Sequence, residues 1–240
     1  MVLLEVIDVT KSFGGLTANQ HISFAVDEGE IVGLIGPNGA GKTTLFNCIT
    51  KYYPPSDGRI KFRGEDITRL SPDQVCHRGI ARTFQIMRNF EGMTVLENVL
   101  VGALCRIRAV AEAREAAMEV MAFTGLLDKR DVLASELTVP DRKRVEVARA
   151  LATKPTLLLL DEAMAGLTPT ETAEAVQLVS AIRDQGVTVL MVEHVMEVIM
   201  PISDRVVVLD YGQKIAEGPP RVIAQNQLVI DAYLGREYCA

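Results

Sequence analysis

The stretch Gly36-Pro37-Asn38-Gly39-Ala40-Gly41-Lys42-Thr43-Thr44 follows the apolar run Ile31-Val32-Gly33-Leu34-Ile35. It fits a phosphate-binding pattern, in which a first glycine, four residues of any type and a second glycine lead into Lys and Ser or Thr. The glycines let backbone N–H groups curl around phosphate oxygens with no Cβ in the way. A helix beginning near Lys42 turns the positive end of its dipole toward the same anion. Lys42 adds a mobile cation, and the Thr43 hydroxyl suits Mg²⁺. A glycine-rich turn without a ligand is the bland alternative, and the strand–loop–helix context tells against it.

A second group lies far along the chain. Leu157-Leu158-Leu159-Leu160 ends in Asp161-Glu162, so two carboxylates stand at the carboxyl end of an apolar strand, the edge where open parallel sheets bind ligands. Asp161 is expected in a Mg²⁺ shell, and Glu162 is expected to polarise an attacking water as general base. Taken alone, the pair could simply begin a loop. A third strand, 187–192, delivers Glu193-His194. His194 is the one histidine at such an edge and is expected to orient water and contact a terminal phosphate. His21 and His77 read as structural.

These residues need a sheet whose strand ends converge. Short apolar runs alternate with helical patterns, which predicts an α/β fold with a largely parallel sheet covered by helices. Strands are expected at 4–10, 21–26, 30–35, 59–62, 156–160, 187–192, 205–210 and 214–217, with the first two and the last two antiparallel. A turn at Tyr211-Gly212 joins the last pair. A helix is expected from Pro169 to about Gln185, begun by the capping box Thr168-x-x-Glu171 and stopped at Gly186. Residues 86–152 read as helical stretches at 95–105, 109–123 and 140–153. The expected organisation is therefore one domain over 1–240, with a nucleotide-binding core at 1–85 and 153–240 and a helical subdomain at 86–152.

The chain has 240 residues, 48% of them apolar, enough to bury a sizeable core. Its net charge of −6 and its lack of a basic run argue against a nucleic-acid partner, which needs phosphate neutralisation by Lys and Arg. Cys48, Cys76, Cys105 and Cys239 show no metal-ligand spacing and read as free thiols of a reducing compartment. The start, MVLLEVIDVTKSF, carries charge early and reads as a strand rather than a signal peptide. No apolar run reaches the roughly 18 residues of a membrane span. A soluble, cytoplasmic protein is expected.

With phosphate loop, acidic strand end and edge histidine in this order, the chain resembles the nucleotide-binding subunits of ABC transporters along essentially all of its length. The resemblance implies a P-loop NTPase core of the ABC ATPase type, with an antiparallel β subdomain and an inserted helical subdomain. It implies ATP and Mg²⁺ at residues Gly36 to Thr44. Gln85, in ARTFQ, matches the family glutamine that links Mg²⁺ and the attacking water to the membrane subunit. Phe13 lies where an aromatic usually stacks on adenine, and His194 matches the switch histidine. Ala165-Gly166-Leu167-Thr168 matches the D-loop region, without its usual aspartate. FGGLTA, GIARTFQ, MTVLENV and VIDAYLG are similar to the branched-chain amino acid importer type, whose first ATPase subunit pairs with a sister ATPase. The implied partners are integral membrane permease subunits and a second ATPase, either a sister subunit or this chain itself. The implied place is the inner face of the plasma membrane. Related importers of amides, urea or aromatic acids share this wording, as does the lipopolysaccharide-export type.

One segment departs from the family. Where members carry Leu-Ser-Gly-Gly-Gln, this chain reads Leu137-Thr138-Val139-Pro140-Asp141. Thr138 keeps a hydroxyl for the γ-phosphate of an opposite subunit. Val139 adds bulk, Pro140 removes a donor, and Asp141 sets a carboxylate near a triphosphate. The same residues also make a sound helix start: Thr138 as N-cap, Pro140 in the first turn, Asp141 on the dipole. An intact cis set beside this altered trans element predicts a heterodimer with one stronger and one weaker composite site. A low-turnover structural partner is the alternative. A soluble ABC switch acting on ribosome or DNA is a rival that the single domain and the charge disfavour. Gln85, Met87, Phe90 and Met93 are expected to line a groove for a helix of the membrane subunit, with plain subdomain core as the other reading of the methionines. The stretch 228–235 reads as a docking helix or a latch.

Overall fold

The computed structural model describes residues 1–85 and 88–234. Met87 and Cys239, singled out above, lie outside the described residues. The chain opens with long antiparallel strands β1 (Val2–Phe13) and β2 (Leu16–Asp27), then β3 (Ile31–Ile35) and helix α1 (Lys42–Ile49). Next come β4 (Asp57–Phe62), β5 (Glu65–Asp66), α2 (Pro72–Arg78) and β6 (Ile80–Arg82). Helices α3 (Val95–Leu104), α4 (Val110–Phe123) and α5 (Val139–Ala152) follow, with no strand among the described residues between β6 and β7 (Leu157–Asp161). The remainder is α6 (Pro169–Asp184), β8 (Thr188–Val192), α7 (Met196–Ile202), β9 (Arg205–Asp210), β10 (Gln213–Gly218), α8 (Pro220–Ile223) and α9 (Gln227–Leu234).

The strands form two sheets. One is antiparallel, ordered β2-β1-β4-β5, and the other has six strands ordered β10-β9-β3-β8-β7-β6. In the second, β3 pairs in parallel with β8 and β9, β7 with β8, and β6 with β7, while β10 is an antiparallel edge. The β9–β10 connection is tight. Tyr211 and Gly212 both take positive φ, 42° and 77°, the geometry that matches the twist of a two-residue hairpin. Strand β6 was not expected from sequence: three residues ending in an arginine carry too little apolar pattern, and only pairing with β7 reveals them.

Period-two alternation sorts the parallel strands between two cores. Leu157, Leu159, Leu190, Val192, Val207 and Leu209 face α1 and the antiparallel sheet. Leu158, Leu160, Val189, Met191, Val206 and Val208 face α6 and α7. Both faces are thus covered, which is why the strand is apolar from Leu157 to Leu160. Helices α3, α4 and α5 pack on one another in a third cluster built from Val95, Val99, Ala117, Met121, Val145 and Ala148. The expected capping box is made, Thr168 with Glu171 beginning α6, and a second one, Thr94 with Glu97, begins α3. Among the described residues no helix is long and apolar enough to cross a membrane.

The candidate nucleotide site

Parallel pairing aligns the carboxyl ends of β3, β6, β7 and β8. Leu34 stands opposite Val192, and Val192 opposite Asp161. The loop after each strand therefore opens on one edge, and the chemistry-bearing residues leave those loops. Lys42, Thr43, Thr44, Asn38, Gly39 and Gly41 line a cleft of about 440 Å³ together with Phe13, Gln85, Glu162 and His194. Residues from both sheets, up to 181 positions apart, meet there.

The phosphate loop is held from behind. Gly41 has φ of 97°, and a Cβ there would lie 2.4 Å from the Ala18 carbonyl and from Asn19 Nδ2. Only glycine fits that backbone. Asn19 is fully buried in β2 and donates from Nδ2 to the Gly41 carbonyl at 3.0 Å. Sequence reading missed it, because a polar residue within a half-buried strand carries no motif. Lys42 donates to the carbonyls of Gly36 and Pro37 at 2.7 and 2.9 Å. Burial pulls its pKa below the ordinary lysine value, and the charges of Glu162 and Asp161 oppose that shift. Pro37, Asn38, Gly39 and Ala40 also border an adjoining cavity beneath α9.

Glu162 is the hub of the acidic side. His194 Nε2 lies 2.5 Å from its Oε1, and Gln85 donates from Nε2 to its Oε2 at 3.0 Å. Two of the residues expected to handle water, Gln85 and His194, thus meet on the third, Glu162. The Glu162 backbone has φ of 51°, a left-handed conformation that costs a non-glycine residue about 1–3 kcal/mol. Its neighbours hold it: the Glu162 N–H donates to the Val192 carbonyl at 2.9 Å, and Lys143 donates to the carbonyls of Glu162 and Ala165 at 3.1 and 2.5 Å. Behind this loop, Glu193 accepts from the Met164 N–H at 2.9 Å. Burial pushes the Glu193 carboxyl up to about 7.

Asp161 lies just below the cleft, 1% exposed. Arg82 donates to its Oδ2 at 3.0 Å, whereas Oδ1 is buried without a hydrogen-bond partner. Burial raises the Asp161 pKa and the Arg82 charge opposes the rise. A buried carboxylate oxygen left unsatisfied is costly and needs a partner. Together with the Thr43 hydroxyl it makes a donor set of hard oxygens, the type Mg²⁺ takes. The residues fit the ion.

Phe13 is 42% exposed at the mouth of the cleft, edge-on to Tyr53 at 5.1 Å between centroids. Thr138 is not in the cleft. It caps α5, where its hydroxyl donates to Asp141 Oδ2 at 2.8 Å. Lys129 binds the same oxygen at 2.6 Å. The Asp141 carboxylate is therefore turned into the protein, 8% exposed, and does not present the outward negative charge expected from sequence. A separate apolar groove of about 520 Å³ runs between α2, β6, α3 and α5, lined by Phe84, Phe90, Val101 and Arg149 among others. Of the residues expected in a groove, Phe90 lines this one. Gln85 instead faces the cleft, and Met93 lines neither. Cys76 and Cys105 also border the groove, with their sulfurs 3.8 Å apart.

A phosphate loop, acidic strand end and edge histidine on one parallel-sheet edge define a P-loop nucleotide-binding cassette. Residues 19–165 match the ABC transporter family, and residues 213–238 match the family described as branched-chain amino acid ATP-binding cassette transporter. The chain belongs to the ATP-binding cassettes of ABC transporters. It is 41% identical to the high-affinity branched-chain amino acid transport ATP-binding proteins LivG of Salmonella typhimurium and Escherichia coli, over 97% of this chain and 98% of each relative. A probable LivG of Archaeoglobus fulgidus is 34% identical over 99% of this chain and 97% of its own. Among solved structures, a nucleotide-free ATP-binding cassette from an ABC transporter superposes with a TM-score of 0.90 at 32% identity, covering 98% of this chain and all of the other. A dimeric post-hydrolysis cassette bound to ADP and Pi gives 0.83 at 26% identity, covering 91% and 99%.

Proposed function

We propose that this chain binds and hydrolyses ATP to drive a membrane importer of branched-chain amino acids or closely related small solutes. The observation that carries the reading is the meeting of Lys42, Thr43, Gln85, Glu162 and His194 in one cleft above Asp161. The cargo class is supported by the names of the relatives and by the match at 213–238. In this reading the loop from Gly36 to Thr44 wraps the phosphates with backbone N–H groups, and Phe13 stacks on the base. Lys42 moves from its own loop carbonyls to phosphate oxygens. Mg²⁺, when bound, neutralises phosphate charge, and Thr43, Asp161 Oδ1 and Gln85 would hold it. Glu162 takes the proton of the attacking water, and His194 orients that water and the terminal phosphate. Both Glu162 oxygens are engaged by His194 and Gln85, so one contact must open before the carboxylate can act as base.

Two such cassettes close head to tail, each completing the other's site, while 86–152 moves as a helical subdomain against a core of 1–85 and 153–240. The groove at Phe84 and Phe90 receives a short helix of a permease subunit, which holds the chain at the inner face of the plasma membrane. A heterodimer is favoured by the state of Thr138: its hydroxyl proton goes to Asp141, and Lys129 reinforces that carboxylate. The trans element offered to a partner's nucleotide is bonded to itself. Asp141→Gln releases Thr138 and should raise turnover of the assembled pair several-fold, with no gain counting against the heterodimer. Deleting the gene should abolish uptake of labelled leucine by intact cells; undiminished uptake would refute the cargo class.

A further inference from the structure

Arg82 has no part in the roles assigned above, yet four partners converge on its guanidinium. It donates to Asp161 Oδ2 at 3.0 Å, to Asn47 Oδ1 at 2.6 Å, to Thr50 Oγ1 at 3.2 Å and to the Thr83 carbonyl at 3.1 Å. Its guanidinium carbon lies over the Phe84 ring, 4.7 Å from the centroid. These contacts join three pieces of the site. Asn47 and Thr50 belong to the α1 region that begins with Lys42 and Thr43, Asp161 ends β7, and Thr83 leads to Gln85. The Arg82 side chain is 8% exposed and that of Asp161 is fully buried.

A buried ion pair is weak evidence for stability, since well-packed apolar residues often do as well. Its geometry says more. Planar donors fix a carboxylate in orientation as well as in charge. With Oδ2 committed to Arg82, only Oδ1 of Asp161 is left without a hydrogen bond, and its lone pairs are aimed by the bond on the other oxygen. A group bonded to a metal ligand in this way sets the ligand's direction without touching the ion.

We propose that Arg82 is the positioning residue of the Mg²⁺ site, holding Asp161 so that Oδ1 faces the cation and tying that ligand to α1 and to the Gln85 segment. The proposal rests on the ATP-hydrolysing reading. The test uses Mn²⁺ in place of Mg²⁺ with a non-hydrolysable ATP analogue, free Mn²⁺ being read by electron paramagnetic resonance. Arg82→Met should weaken Mn²⁺ binding by about 10- to 100-fold, the usual effect of losing an outer partner of a metal ligand. Arg82→Lys should fall between, because one ammonium cannot serve Asp161, Asn47 and Thr50 together. Asn47→Ala keeps the ion pair while removing its shortest anchor, and should cost about two- to tenfold; it decides the matter if Arg82→Met does not fold. Binding of the analogue in EDTA should stay at the wild-type value in every folded variant. Mn²⁺ affinity equal to the wild type's, or tighter, would overturn the proposal. So would an equal loss in EDTA, which marks a merely structural role. Failure of the wild-type protein itself to bind Mn²⁺ with the analogue would instead remove the hydrolytic reading, and the proposal with it.

Discussion

Glu193→Gln isolates one buried charge behind the site. Glu193 is 1% exposed, its Oε1 accepts from Met164, and its Oε2 is buried without a partner. Burial pushes its carboxyl from 4.5 up to about 7, with Lys143 pulling it back and Glu162 and Asp161 adding to the rise. Between those values the folded protein holds a proton that the unfolded chain has lost. The stability contribution is therefore complete below 4.5, declines as pH rises toward 7, and stays flat above. At about 1.4 kcal/mol for each pH unit, the gap amounts to about 3 kcal/mol. Glutamine keeps the acceptor for Met164 and carries no charge. In urea unfolding, the stability of Glu193→Gln relative to wild type should rise by about 3 kcal/mol between pH 4.5 and pH 8. A difference that does not change with pH would refute the burial reasoning.

Two further substitutions probe the phosphate loop. Lys42→Ala removes the only loop cation and should abolish measurable ATP binding by calorimetry, against an unchanged dissociation constant if the loop does not hold phosphate. Gly41→Ala forces a Cβ to within 2.4 Å of the Ala18 carbonyl and Asn19 at a φ of 97°. It should lower thermal stability by about 1–3 kcal/mol and weaken nucleotide binding together; a wild-type melting temperature and affinity would show that the loop backbone is not so confined.

Legibility from sequence followed the range of each interaction. GPNGAGKTT and LLLLDE were readable because local backbone needs and strand alternation impose them. The helix at Pro169–Asp184 was readable because Thr168 and Glu171 satisfy its first turn within the segment itself. Thr138 as a helix cap was readable for the same reason. The partners of Asp141 were not, since Lys129 reaches it from a separate turn. Arg82 left no such signal, because the three-residue strand that buries it is too short to read, and its pairing with Asp161 spans 79 positions. Asn19 behind Gly41, Lys143 on the loop after Glu162, and the neighbouring Cys76 and Cys105 are likewise products of tertiary packing. Local pattern cannot reveal which loops a parallel sheet will bring to one edge.

Single-turnover phosphate release from Glu162→Gln, loaded with Mg·ATP beside its partner cassette, tests the assignment of this cleft most directly. Loss of the general base should slow release by at least about 10²-fold while nucleotide affinity stays at the wild-type value. Release at the wild-type rate would contradict the role of Glu162, and with it the chemistry assigned to the cleft.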